Sequence, residues 1–429
     1  MKIRQWFAPR GAAYVYERAA KLLGRYGLTP AKAVDRVGAC VATLAEHGCS
    51  PTFPTPGRVV QKYPQFFRQL QDAGAEIAVH GYDHVDLAAY APAEAGEQLL
   101  RAADVFARHG IEAHGFRCPY LSCNSGLLDV LPEGVFEYSS NKAIWWDVVS
   151  SAGDRGEGKT PAVLHRLYKP TPAHAAVCVP HMESKLLEIP VCLPDDLELH
   201  DALQRSPEGM AQAWSQVLHR THRAGELFNL VFHPELAWSC QQPFVSVLRE
   251  AERLQPSVWI ARLCDISDWW TEKAGFGIAT SFSPEDLHIS FSCSERATVL
   301  VRGLGAQGTE QAWDGAYRQL LGRTLHVPAE PRPFVGLPIN APRHIISFLR
   351  DQGYILDTDE TATRCGTYLD AATLAGLRDE VGLIEFIESS STPLVRYWRW
   401  PDGAKSALCV SGDLDALSLP DYAYRLFAR

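Results

Sequence analysis

Apolar and polar positions follow two different rhythms along this chain. Up to about Lys273, short apolar runs trade places with helical segments. Ala12–Tyr26 and Ala31–His47 read as two helices broken at Gly27-Leu28-Thr29-Pro30, with Thr29 as N-cap and Pro30 as the first helical residue. The alternation continues through Ser50–Pro54, Pro64–Ala73, Glu76–His80, Pro92–His109, Ala113–Pro119, Gly134–Tyr138 and Leu186–Cys192. It runs on through Pro207–Ala224, Leu227–His233, Pro243–Leu254 and Val258–Ala261. Strands trading with helices over such a length predict parallel βα units, hence an α/β barrel or a doubly wound sheet.

Beyond Lys273 the period shortens. Leu287–Phe291 and Ala297–Val301 alternate like half-buried strands, and Gly303-Leu304-Gly305 marks a turn. Residues 275–340 therefore predict a small β-rich, sandwich-like module, and residues 341–390 a helical connector. A last apolar run, Ala407–Val410, leads into Asp413-Leu414-Asp415.

Composition narrows the classes of function. At 429 residues the chain exceeds one ordinary domain, and 46% hydrophobic with 21% charged residues is the balance of a globular protein with a sizeable core. The net charge of -9 and the absence of a Lys/Arg run speak against nucleic acid as a partner. A neutral or polyhydroxylated substrate fits better. The eleven Cys residues form no CxxC pair, which reads as reduced thiols. The first residues lack the apolar core of a signal peptide, and no apolar run is long enough to span a membrane. A cytoplasmic protein is expected.

Several apolar runs end in a residue capable of chemistry: Glu76–Val79 in His80, Leu227–Phe232 in His233, Ala407–Val410 in Asp413 and Asp415. The segment around Phe116 likewise leads into Arg117-Cys118-Pro119-Tyr120. In parallel α/β folds the carboxyl ends of the strands share one face, where the site sits, so these residues should converge. His80 and His84 lie four apart, which on a helical turn puts both imidazoles on one side. Two His and one carboxylate leave open positions on zinc for water and a carbonyl oxygen. The pair alone fits two structural histidines equally well, and Asp413-Leu414-Asp415 alone also fits a helix-capping cluster.

Taken in order, these residues resemble the polysaccharide deacetylase (NodB-homology) family, carbohydrate esterase family 4, over about residues 30–270. Ala75–His84 looks like its metal-histidine segment, Gly115–Tyr120 like its Arg-x-Pro-Tyr motif, and Trp145-Trp146-Asp147 loosely like its Asp/Trp segment. Leu187–Pro190 and Leu230–His233 resemble its later strands. The acidic motif that should precede the helix at 31–47 is missing there, and Trp400–Ala416 is similar to it at the far end. The resemblance thus implies a distorted (β/α)7 barrel, circularly permuted, with its first strand at the C-terminus. Residues 1–272 would form the main part of the barrel and residues 391–429 would complete it. A remnant of a second catalytic domain, or a tail strand inserted from a neighbouring subunit of a homo-oligomer, are the rival explanations. Cys118 departs from the motif and reads as a harmless buried thiol.

What the resemblance implies for chemistry is an amidohydrolase that removes an N-acetyl or similar acyl group from an amino sugar, in a polysaccharide or its precursor. Asp415, His80 and His84 would hold Zn²⁺ or another divalent ion, and Asp413, held by Arg117, would be the general base. The Tyr120 backbone N–H would stabilise the oxyanion and His233 would protonate the leaving amine. Asp147 would orient a neighbour, and Trp145 and Trp146 would offer sugar-stacking surfaces or simply core. The alternatives are hydrolysis of a small amide or cyclic imide, and a metal-free binding or scaffold protein.

Overall fold

The computed structural model describes residues 22–123, 126–149, 168–305, 310–377 and 379–425. The predicted helix Ala12–Tyr26 lies largely outside them. The barrel strands are β1 (Thr52–Thr55), β2 (Glu76–Val79), β3 (Gly115–Phe116), β4 (Tyr138–Ser139), β5 (Ala143–Trp145), β6 (Leu186–Glu188), β7 (Val191–Leu193), β8 (Leu227–Val231), β9 (Val258–Ile260) and β10 (Ser406–Ser411). Parallel pairing links β1 to β2, β2 to β3 and β3 to β4. It also links β4 to β6, β5 to β7 and β7 to β8.

Two stretches close the curl. Only Ser140-Asn141-Lys142 separates β4 from β5, and only Ile189-Pro190 separates β6 from β7. Each stretch therefore runs from one end of the ladder to the other. Followed round, the wall is 406–411, 52–55, 76–79, 115–116, 138–145, 186–193, 227–231 and back to 406–411. This is the distorted seven-fold α/β barrel that the family resemblance implies, one of the two architectures left open by the alternating pattern.

The tail strand belongs to that wall. Residues Leu227 to Val231 of β8 pair with Ala407 to Ser411 of β10, and Thr52 of β1 pairs with Ser411 on the other side. β9 flanks the start of β10, from Val258↔Ser406 to Ile260↔Leu408. Every residue of β10 is buried, as expected where both faces of a parallel strand are covered.

Helices pack outside the strands with apolar stripes inward. α1 (Ala31–Glu46) buries Ala33, Val37, Cys40 and Leu44, spaced three and four apart. It begins one residue later than the sequence suggests, and no side chain caps it. α2 (Pro64–Asp72), α3 (Pro92–Arg108) and α4 (Pro207–Ala224) each start with Pro in the first turn, where its missing N–H costs nothing. α5 spans Ala237–Ala251 with Pro243 inside it, so reading Pro243 as the helix start places that boundary too late.

Between barrel and tail sits the second part of the chain. Gly277–Phe282, Asp286–Ser292 and Thr324–Pro328 form one antiparallel sheet; Val299–Arg302, Glu310–Asp314, Tyr317–Leu320 and Leu394–Tyr397 form another. Leu287, Ile289, Leu325, Val299, Val301 and Val395 share one apolar cluster between them. Leu394–Tyr397 thus lies in this module, and the tail joins the barrel only after it. Residues 341–390 are not wholly helical. Leu356–Asp357 and Cys365–Tyr368 pair in parallel on either side of Arg332–Gly336, strands too short to show a period in the sequence.

Candidate functional site

All barrel strands run the same way, so their carboxyl ends meet at one rim. His80 follows β2, Arg117 follows β3, His233 lies two residues past β8, and Asp413 and Asp415 follow β10. The structure brings these together.

His80, His84 and Asp415 each offer one ligand atom, and the three atoms lie within 4.8 Å of one another. His84 Nε2 is 3.3 Å and His80 Nε2 3.5 Å from Asp415 Oδ1. The pair is not carried on a helical turn, as its spacing suggested. Residues 80–85 form an irregular loop in which Gly81 takes φ +73°, a conformation that L side chains rarely adopt. His80 Nδ1 meets the Arg117 carbonyl oxygen at 2.8 Å, which fixes Nδ1 as the protonated nitrogen and turns the Nε2 lone pair inward. His80 Nε2 and Asp415 Oδ1 are both buried without any hydrogen-bond partner. Two orphaned buried groups aimed at one point cost free energy unless something binds there, and N and O donors in this number suit a divalent transition ion. Burial and the neighbouring Arg425 guanidinium lower the His84 pKa to about 4, so the ring is neutral, as a ligand must be.

Asp413 stands beside this trio, with Oδ2 3.6 Å from His80 Nε2. Gly412 brings it there. A Cβ at that position would meet the Phe232 carbonyl oxygen at 1.9 Å, so only glycine lets the end of β10 pass so close to the chain leaving β8. Arg117 is fully buried and satisfied on every side: Nη1 donates to Asp413 Oδ1 at 3.0 Å, Nε to the Ser140 carbonyl at 3.1 Å, and Nη2 to Ser411 Oγ at 2.8 Å and Ser140 Oγ at 3.2 Å. Ser411 Oγ donates in turn to Asn229 Oδ1 at 2.8 Å. Burial alone would raise the Asp413 pKa, but its cationic neighbours, the Arg117 guanidinium among them, outweigh it and hold the carboxyl below its usual range.

On the far side of the rim, Asp196 takes both the His233 backbone N–H and Nδ1, each at 2.6 Å. Burial works against the imidazolium, yet the Asp196 charge prevails and raises the His233 pKa to about 10. The ring therefore carries its proton on Nε2 at neutral pH. Because the folded pKa lies above the ordinary 6.5, the stabilisation is complete below about pH 6.5 and disappears as pH rises through 10. Asp196→Asn is expected to cost about 1.5–3 kcal/mol near pH 6 and far less near pH 10. Denaturant titrations at the two pH values check this, and an equal loss at both would contradict it.

The remaining expected residues fall into place unevenly. Tyr120 has φ +61°, and its ring stands nearly perpendicular to that of His84, with centroids 4.7 Å apart. Asp147 is exposed, and its carbonyl oxygen accepts from Arg220. Trp146 is core, and Cys118 is a buried thiol whose pKa burial pushes well up, an inert state. Two participants were not read from the sequence. Asp196 closes the run Val191–Leu193 and obeys the strand-end rule that found the others; Arg425, on the last described helix, carried no signal. A pocket of about 370 Å³ opens beside the trio, lined by Arg58, Lys62, Tyr82, His84, Asp415 and Tyr424 among others.

Residues 30–135 match the polysaccharide deacetylase family model, a span that contains His80, His84, Arg117 and Tyr120 but neither acid nor His233. No curated protein matches the chain. Among solved structures, a Mycobacterium smegmatis protein that carries the polysaccharide deacetylase name is similar at 21% identity and TM-score 0.46, over 60% of this chain and 83% of that one. The peptidoglycan deacetylase PdaC of Bacillus subtilis is similar at 24% identity and TM-score 0.22, over 24% of this chain and 50% of its own. A family 4 carbohydrate esterase of Streptomyces lividans, in complex with acetate, is similar at 17% identity and TM-score 0.28, over 50% and 78%.

Proposed function

We propose, from the match of residues 30–135 to the polysaccharide deacetylase family model, that this chain is a metal-dependent amidohydrolase that removes an N-acetyl or similar acyl group from an amino sugar. One observation carries the reading. Two buried, unpartnered ligand atoms, His80 Nε2 and Asp415 Oδ1, converge beside a second carboxylate that Arg117 holds ionised.

His80, His84 and Asp415 would hold Zn²⁺ or a related divalent ion, which supplies a Lewis acid for the acyl oxygen and acidifies water. Asp413 takes the proton from the attacking water, and Arg117 keeps it oriented and charged for that task. The Tyr120 backbone N–H stabilises the oxyanion. His233, protonated and braced by Asp196, gives its proton to the leaving amine. Acid and base are thus set apart by their surroundings.

The pocket's volume, about 370 Å³, suits a sugar unit or a small amide better than a long polymer. This favours a soluble or lipid-linked precursor and keeps cyclic-imide hydrolysis as the second reading. Ten described cysteines are free thiols, and the Cys178 and Cys192 Sγ atoms are hydrogen-bonded at 3.6 Å. Among the described residues no helix is long and apolar enough to cross a membrane. We further propose that the chain is circularly permuted, the tail supplying the strand and acidic motif that the front lacks.

The test is metal analysis of the purified protein, followed by acetate release from N-acetylglucosamine and its oligomers and ring opening of cyclic imides, with and without chelator. Acetate release that chelator abolishes and zinc restores is expected. Imide opening alone selects the second reading, and a metal-free, inactive protein selects a scaffold.

A further inference from the structure

Every ligand in the trio but one is oriented by an ordinary partner. His80 has the Arg117 carbonyl on Nδ1. His84 lacks such an acceptor: among the described residues, its ring nitrogens meet only Asp415 and Arg425. Ligating histidines almost always donate their second N–H to a carbonyl, carboxylate or water, so His84 calls for another explanation.

The position of Arg425 supplies it. One guanidinium nitrogen, Nη1, donates to Asp415 Oδ2 at 2.7 Å, while Oδ1, the oxygen facing both histidines, has no partner. The other, Nη2, lies 2.8 Å from His84 Nδ1 and 3.1 Å from Nε2. A group nearly equidistant from both nitrogens of one imidazole cannot lie in the ring plane, because Cε1 and its hydrogen occupy that place. Nη2 therefore sits over the ring face, and the Nε2 lone pair in the plane stays free. The Tyr120 ring packs perpendicular to the same imidazole, with centroids 4.7 Å apart.

The terminal helix Leu419–Arg425 holds the guanidinium there. Leu419 N–H donates to the Gly27 carbonyl at 2.8 Å, Tyr422 stacks on Tyr26 at 4.9 Å, and Asp421 takes Lys62 Nζ and the Tyr63 hydroxyl. Arg58 lies over the Tyr424 ring at 4.3 Å.

We infer that Arg425 is a positioning residue for the cation site: its guanidinium aims Asp415 Oδ1 and locks the His84 ring, rather than competing with the ion for them. The inference rests on the reading of His80, His84 and Asp415 as a metal site. A planar fork that bridges a carboxylate and stacks on an imidazole is a task for Arg and not for Lys, whose ammonium is a point charge.

The test titrates the full, chelator-stripped chain with Co²⁺, following visible absorption, and competes Zn²⁺ against a chromogenic chelator. R425A is expected to bind both ions about 10–100-fold more weakly, with an altered Co²⁺ spectrum. R425K should not recover the loss, whereas millimolar guanidinium ion added to R425A should recover part of it. Unchanged affinity overturns the inference, and tighter binding does so by showing that the guanidinium competes. A loss that guanidinium leaves untouched, matched by a lower melting temperature of the metal-free R425A chain, also overturns it. Wild-type protein that binds neither ion sinks the metal reading and this inference together; wild-type binding with an unaffected R425A sinks only the inference.

Discussion

Asp413→Asn is expected to leave the metal content of the protein unchanged while kcat falls by about 10²–10⁴-fold. The two acids at the end of β10 lie two residues apart yet face different partners. Asp415 presents an unpartnered oxygen to two imidazoles, 3.5 and 3.3 Å away, whereas Asp413 gives one oxygen to Arg117 at 3.0 Å. An Asn at 413 can still accept the Arg117 hydrogen bond through its carbonyl oxygen, so the buried guanidinium keeps its partner and the fold should survive. What the amide cannot do is accept a proton. A group needed only when water is deprotonated should affect kcat and kcat/KM about equally. Steady-state acetate release beside metal analysis checks this. Turnover within tenfold of wild type would move the base to another residue, and loss of the metal would mean that Asp413 is a ligand.

How much of this was legible beforehand depends on the kind of signal each residue carried. His80, Arg117, His233 and Asp413 each follow a short apolar run, and a parallel barrel turns that one-dimensional position into proximity at a rim. Asp196 follows a run too, but Pro194 and a second acid at 195 separate it from the strand and disguise the same rule. The loop conformation of 80–84 was hidden because i, i+4 spacing looks alike on a helix and on a loop closed by a left-handed glycine. Arg425 was invisible for a deeper reason: its partners, at 84 and 415, are set by how the terminal helix docks on Tyr26, Tyr63 and Gly27. Contacts of that kind leave no periodic trace. The strands at 356–357 and 365–368 were missed because so few residues show no alternation.

Removing residues 405–429 should abolish both the fold and the activity, because the loss falls on the wall of the barrel and not on an appendage. β10 is hydrogen-bonded to β8 along its length and to β1 and β9 on its other side, so its removal leaves three strand edges bare. Leu408, Val410, Leu414 and Leu417 are all 2% exposed or less. At roughly 1.5–3 kcal/mol for each such side chain, their burial alone is on the order of the whole net stability of a domain. A truncated chain that still melts cooperatively and releases acetate would show the tail to be a remnant of something else.

Loss on truncation does not by itself distinguish a permuted barrel from any other essential strand, so the sharper experiment moves the segment. Leu419 donates to Gly27 and Tyr422 stacks on Tyr26, which places the terminal helix beside the start of the described chain. Residues 405–425 joined by a short linker to residue 22, with the chain now ending at 404, would present the acidic motif first and the histidine pair after it. Loop closure costs little for a short linker between neighbouring ends, and every buried contact of β10 is kept. The rearranged chain is expected to fold, bind metal and turn over within about tenfold of wild type, since covalent order matters less to a barrel than which strands adjoin. Co²⁺ spectra and acetate release measure it. A rearranged chain that folds but binds no metal would mean that the acids reach the histidines only through their tether to residues 391–404, and the permuted description of this barrel would fail.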